Sequence, residues 1–173
     1  VIILRFDVGK GFDIGLYDRV LVNSLSYKGL QLLKCANWAE GPNHGGILSE
    51  YAVDVFWDYV SEYENINGVT DYRKAFIKNY GTGSTGSCVI RPGFVLPNDL
   101  GGRFNAQIAL GTNTDNLTTV LNNSSGYTFL SGLSITIGPG EIVPIWVKRV
   151  VTAGGSPAKS YLNLQFFITV SES

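Results

Sequence analysis

The sequence has no methionine, one histidine (His44) and two cysteines (Cys35 and Cys88) among 173 residues. Each scarcity narrows the chemistry. Two cysteines in separate regions form neither a CxxC motif nor a zinc cluster. They read as buried or half-buried free thiols, with a disulfide as the alternative that spacing leaves open. His44 lies in a Gly-rich loop, and no serine sits in a G-x-S-x-G elbow, so no motif sets up a nucleophile and base. The Gly-rich GTGSTGS stretch lacks the GK[ST] of a phosphate-binding loop. Charged residues make up 16% of the chain and net to −1, scattered in both signs, which gives no electrostatic case for nucleic acid as a partner. No apolar run approaches the ~20 residues that span a bilayer. The longest candidate, 161–170, is interrupted by Asn163 and Gln165. The absence of Met fits removal of an initiator, and removal of a longer leader would leave the same trace.

What is abundant is glycine (21 residues) and aromatic side chains (nine Tyr, nine Phe, three Trp), alongside many Asn, Ser and Thr. This composition and a 45% hydrophobic content indicate a globular all-β protein with many turns. Short strand-like runs with Gly/Pro punctuation recur: 71–80, 89–96, 103–111, 127–130, 133–137, 142–151 and 161–170. Their spacing predicts an antiparallel β-sandwich, immunoglobulin-like or jelly-roll-like, with at most one short helix. GPNHGG (41–46) is the clearest breaker cluster. It divides an N-terminal extended arm or hairpin (1–46) from a core domain (47–173).

Residues 47–64 read two ways. Val53, Phe56, Trp57 and Val60 recur at helical spacing, with Ser49 near an N-cap, yet the β-branched and aromatic content also suits a strand followed by a turn. Segment 113–125 reads as a polar loop with a short strand at 117–121. Asp54 and Asp58, then Glu62 and Glu64, read as a solvated face in preference to a glycosidase-type acid/base pair. Neither 62–67 nor 113–116 has the ligand spacing of a calcium loop, so no metal or cofactor is expected.

Strand 71–80 carries cations beside aromatics. Period 2 puts Tyr72, Lys74, Phe76, Lys78 and Tyr80 on one face and Arg73, Ala75, Ile77 and Asn79 on the other. Base stacking is one reading. Lysine stems lying over rings is the simpler one. The same mixture recurs in Trp146, Lys148 and Arg149, which favours a protein–protein surface. The candidate interface is Tyr72, Lys74, Phe76, Lys78, Trp146 and Lys148, joined by Val1, Ile3 and Phe6 of the arm.

Phe56, Asp58, Val60, Glu62, Gly68, Thr70, Tyr72, Arg73, Ile77, Lys78 and Asn79 resemble a pattern in tailed-bacteriophage virion structural proteins. There, an acidic aromatic stretch leads through a Gly turn into a Tyr-Arg strand that ends in Lys-Asn. The segments 105–114 and 135–170 are similar to the family's next strand, its Asn/Thr loop, its PGE-turn strand and its last strand. The order is preserved over 47–170. Residues 81–103 stand as an insertion, and 1–40 has no counterpart. The resemblance implies a non-enzymatic β-sandwich, a head-decoration or tail/baseplate component in many symmetric copies. Its partners would be copies of itself and other virion proteins, with no specific nucleic acid and no membrane. Its place would be the virion, assembled in the host cytoplasm. Two alternatives stay open: a carbohydrate-binding module stacking sugars on exposed Trp38, Trp57 or Trp146, and an extracellular filament subunit that donates Val1–Phe6 as a strand.

Overall fold

The computed structural model describes residues 2–8, 29–53, 56, 57, 59–95, 103–157, 159 and 163–170, with the backbone alone for 2–8 and most of 163–170. Among the described residues, nine strands form two antiparallel sheets. The strands are β1 (Ile2–Val8), β2 (Leu30–Asn37), β3 (Gly45–Ala52), β4 (Val69–Asn79), β5 (Cys88–Val95), β6 (Phe104–Leu110), β7 (Leu133–Ile135), β8 (Ile142–Val151) and β9 (Asn163–Val170). One sheet runs β1-β9-β5-β7 and the other β3-β2-β4-β8-β6. The all-β sandwich expected from strand spacing is the observed architecture. From β4 onward, every connection between strands crosses from one sheet to the other. Residues of the 1–46 segment enter both sheets, because β1 pairs with β9 and β2 lies between β3 and β4.

The core lies between the sheets. Ala75 and Ile77 of β4, Ala106 and Ile108 of β6, and Val143, Ile145 and Val147 of β8 meet Ile90 of β5, Leu133 of β7, and Leu164 and Phe166 of β9. Strict alternation along β8 puts Val143, Ile145, Val147 and Val151 inward. Pro144, which cannot donate to a ladder, stands one residue past the end of the β6–β8 register at Leu110↔Ile145. Strand β4 is buried on both faces. Its second face carries Phe76, which packs with Leu33 and Cys35 of β2 in a smaller cluster on the outer side of the sheet.

Two short helices, α1 (Glu62–Asn67) and α2 (Leu117–Asn122), exceed the single one expected. In α1 a capping box decides the matter. Ser61 accepts from the Glu64 N–H, while the Glu64 carboxylate accepts from the Ser61 N–H. Among the described residues, the helical reading of 47–64 therefore holds only at its end, from Glu62. Ser49 lies in β3 and donates to the Lys34 carbonyl. Phe56, Trp57 and Val60 are buried from irregular backbone. The strand expected at 117–121 is also corrected. Asn116 and Thr119 cap each other, and this local pair overrides the β-branched content of the segment.

Asn79, fully buried at the end of β4, ties the β4–β5 and β7–β8 connections together. Its amide donates to the carbonyls of Gly83 and Ile137, and its oxygen accepts from the Gly81 N–H. Its backbone pairs with the GPGE turn at Glu141 and Gly140.

Candidate functional site

Polar chemistry concentrates where the 38–46 loop meets the 111–122 segment over the outer face of β4. Lys74, in the strand interior between buried neighbours, has no solvent exposure. A buried ammonium needs acceptors, and here it has three. Nζ lies 2.5 Å from Asp115 Oδ1, 2.8 Å from the Gly46 carbonyl and 3.2 Å from the Asp115 carbonyl. The other carboxylate oxygen accepts from Trp146 Nε1 (2.9 Å), Tyr127 Oη (2.7 Å) and the Thr112 N–H (2.9 Å). Burial alone would raise the Asp115 carboxyl, but Lys74 and these donors hold it below its usual value. Burial also pulls Lys74 down, opposed by Asp115, and pushes Tyr127 up to about 12.

Gly45 makes this approach possible. Its φ is +126°, and a Cβ there would lie 2.6 Å from the Asp115 carbonyl oxygen.

His44 completes the cluster, 2% exposed. Its Nε2 accepts the Lys74 backbone N–H at 2.8 Å, so Nδ1 carries the proton and donates to the Trp38 carbonyl at 3.2 Å. The ring stands edge-on to Trp38 and Trp146. Burial, assisted by the Arg73 charge, lowers its pKa to about 4. Cys35 Sγ is 3.9 Å from Nε2, a Cys–His pair by distance. Electrostatics make it inert: burial pushes the thiol up, the imidazole is neutral with Nε2 occupied, and both groups are closed to solvent. This cluster staples two loops to a sheet.

Beside it opens a cleft of about 240 Å³, lined by Glu40, His44, Trp57, Asp71, Arg73 and Leu117 among others. The Arg73 guanidinium lies 4.2 Å above the Trp38 ring, pairs with Glu40 at 3.1 Å and donates to the Trp38 carbonyl. Arg149 pairs with Asp71 at 2.5 Å across the β4–β8 ladder. Arg73, the arginine among the described lining residues, thus has a carboxylate, as does its neighbour Arg149.

These positions revise the interface expected from sequence. Lys74, Phe76 and Trp146 are buried within the chain, because the 38–46 and 111–122 segments lie over Lys74 and Trp146 while Phe76 packs beside Leu33 and Cys35 of the neighbouring β2. Tyr72, Lys78 and Lys148 keep partial exposure. Tyr72 packs on Phe129, and the Lys78 ammonium lies over the Tyr80 ring. Trp57 and Trp146, buried at 6% and 0% exposure, offer no open platform for a sugar, and Trp38 is half-buried under Arg73. His44, the histidine of the Gly-rich loop, is buried. Val1 and the side chains of Ile3 and Phe6 lie outside the described residues. Asp54 and Asp58 lie outside them as well.

Sequence reading missed Asp115 and the role of His44. One signal was present: a lysine between Arg73 and the apolar run Ala75-Phe76-Ile77 requires a buried carboxylate from elsewhere.

Among the described residues no three His, Cys, Asp or Glu side chains converge as a metal site would require, and no helix is long and apolar enough to cross a membrane. Comparison with protein-family models, with curated proteins and with solved structures finds no match.

Proposed function

We propose that this chain is a non-enzymatic structural protein of a tailed-phage particle, a head-decoration or tail/baseplate component present in many symmetric copies. The observation that carries the reading is the place of the resembling segments. The Tyr-Arg strand and the PGE-turn strand are β4 and β8, paired in unbroken register from Val69↔Val151 to Lys78↔Ile142. The stretches most like the virion family are therefore the central pair of one sheet, the part of a sandwich least free to drift. The described chemistry also favours building over catalysis: the strongest polar cluster is sealed and self-satisfied. The outside presents isolated apolar side chains, among them Ile47 and Tyr51 on the edge strand β3 and Tyr63 and Ile66 on α1. Such scattered contacts suit repeated modest interfaces between copies.

Mass spectrometry of density-purified particles from a producing culture tests this. The expected result is peptides of this chain at tens of copies per particle, with antibody labelling at the head or tail. A chain found free in the lysate and absent from purified particles overturns the reading.

A further inference from the structure

We propose that β1 is an exchangeable strand, which in concentrated arrays pairs with the β9 of a second copy of this chain in the register it uses at home. This goes beyond the particle reading and does not depend on it.

The topology carries the proposal first. Among the described residues, β1 closes one end of its sheet, pairs with β9 alone, and has no more than marginal contact with any other element. Its departure leaves β9-β5-β7 and the whole five-stranded sheet in place. The other three edges are blunted in the ways natural sheets use. Strand β3 is bulged, with two register shifts against β2 and Glu50 at φ +65°. Strand β7 is three residues long. The free side of β6 is occupied at Ile108 by a bridge to Leu130. By contrast the β1–β9 ladder runs straight through seven pairs, Ile2↔Val170 to Val8↔Leu164, with no bulge. Any copy that loses β1 exposes the full length of β9 as an acceptor.

The connection supplies the reach. About 20 residues, from Gly9 to Lys28, separate β1 from the next described residue. Extended, such a segment spans roughly 65 Å, against a domain breadth of about 40 Å. β1 can therefore lie on its own β9 or on that of an adjacent copy.

Energetics make the choice depend on concentration. Exchange preserves the seven β1–β9 pairs, so closure of the connection sets the balance between the two forms. A connection of about 20 residues corresponds to an effective concentration in the millimolar range. Dilute chains keep β1 at home. Neighbours packed in an array present β9 at a comparable concentration and compete for it.

Leu4 and Ile168 are Cα partners, a separation that a disulfide bridges in either class of antiparallel pair. One batch would carry Leu4→Cys and a size tag, and a second would carry Ile168→Cys. The two are refolded together at ~10 µM and at ~1 mM, oxidised, and the bonds assigned by peptide mapping. The expected result is a tagged–untagged dimer joined from position 4 to position 168, at least tenfold more abundant at the higher concentration. The double variant Leu4→Cys/Ile168→Cys, refolded at ~1 µM, should give an internally bridged monomer. No mixed dimer at ~1 mM, with the double variant still bridging internally, overturns exchange. A double variant that forms no disulfide, within or between chains, overturns the β1–β9 pairing and the proposal with it.

Discussion

Acidifying the protein from pH 7 to pH 5 should cost the fold about 2 kcal/mol through a single side chain. His44 is the only histidine. Its pKa in the folded chain is about 4, against 6.5 for the free group, because burial and then the Arg73 charge disfavour the cation. Between those values the unfolded chain holds the proton and the folded one does not, so stability rises with pH across the interval. The contribution is complete above pH 6.5 and is lost as pH falls toward 4, reaching about 3 kcal/mol there. Geometry gives the same sign: a proton on Nε2 would evict the Lys74 N–H and place a third cation beside Lys74 and Arg73. Asp115, held below 3.8, loses its own contribution only at lower pH, so among the described groups with a shifted pKa the window from 6.5 to 5 is that of His44. Urea unfolding followed by tryptophan fluorescence at pH 7, 6 and 5 measures the slope, with His44→Gln as the comparison. A glutamine oxygen can accept the Lys74 N–H but does not titrate. That variant should start less stable yet be flat from pH 7 to 5. A flat wild-type profile, or an equal fall in the variant, would refute the reasoning.

Asp115→Ala should cost about 3–5 kcal/mol, since it strands the Lys74 ammonium without solvent. The double substitution Lys74→Met/Asp115→Leu should recover most of that loss in the same urea assay; a double variant worse than either single one contradicts the ion-pair account. Asn79→Ala should cost about 2–4 kcal/mol through three lost hydrogen bonds, with fast hydrogen exchange appearing at Gly81. Gly45→Ala should lower the melting temperature by more than Gly154→Ala, because Gly154, also at positive φ, has no atom near where a Cβ would sit.

The sandwich was legible because its signals are local and repeated: alternation in 103–111 and 142–151, and turn residues between short runs. The two helices were not, because each rests on a pair of side chains three residues apart, Ser61 with Glu64 and Asn116 with Thr119, inside segments whose composition points to strand or loop. The buried cluster was legible only by halves. GPNHGG and NTDN read as two loops, and nothing in either says that Gly45 and Asn116 form a bridge or that Asp115 reaches Lys74. Period 2 sorted the residues of β4 correctly into two faces. It could not tell that the second face is covered by chain from 41 residues further on.

Pairing β1 with β9 also sets a clock on synthesis. At ~5–20 residues per second, roughly 10–30 s pass between the emergence of Val8 and that of Asn163, whereas a hairpin such as β2–β3 closes in microseconds once made. For that interval β1 has no β9 to pair with. It must be kept from misjoining by dilution, by a chaperone or by the ribosome's spacing of nascent chains. Both ladders of β9, to β1 and to β5, therefore close only after translation has passed residue 163.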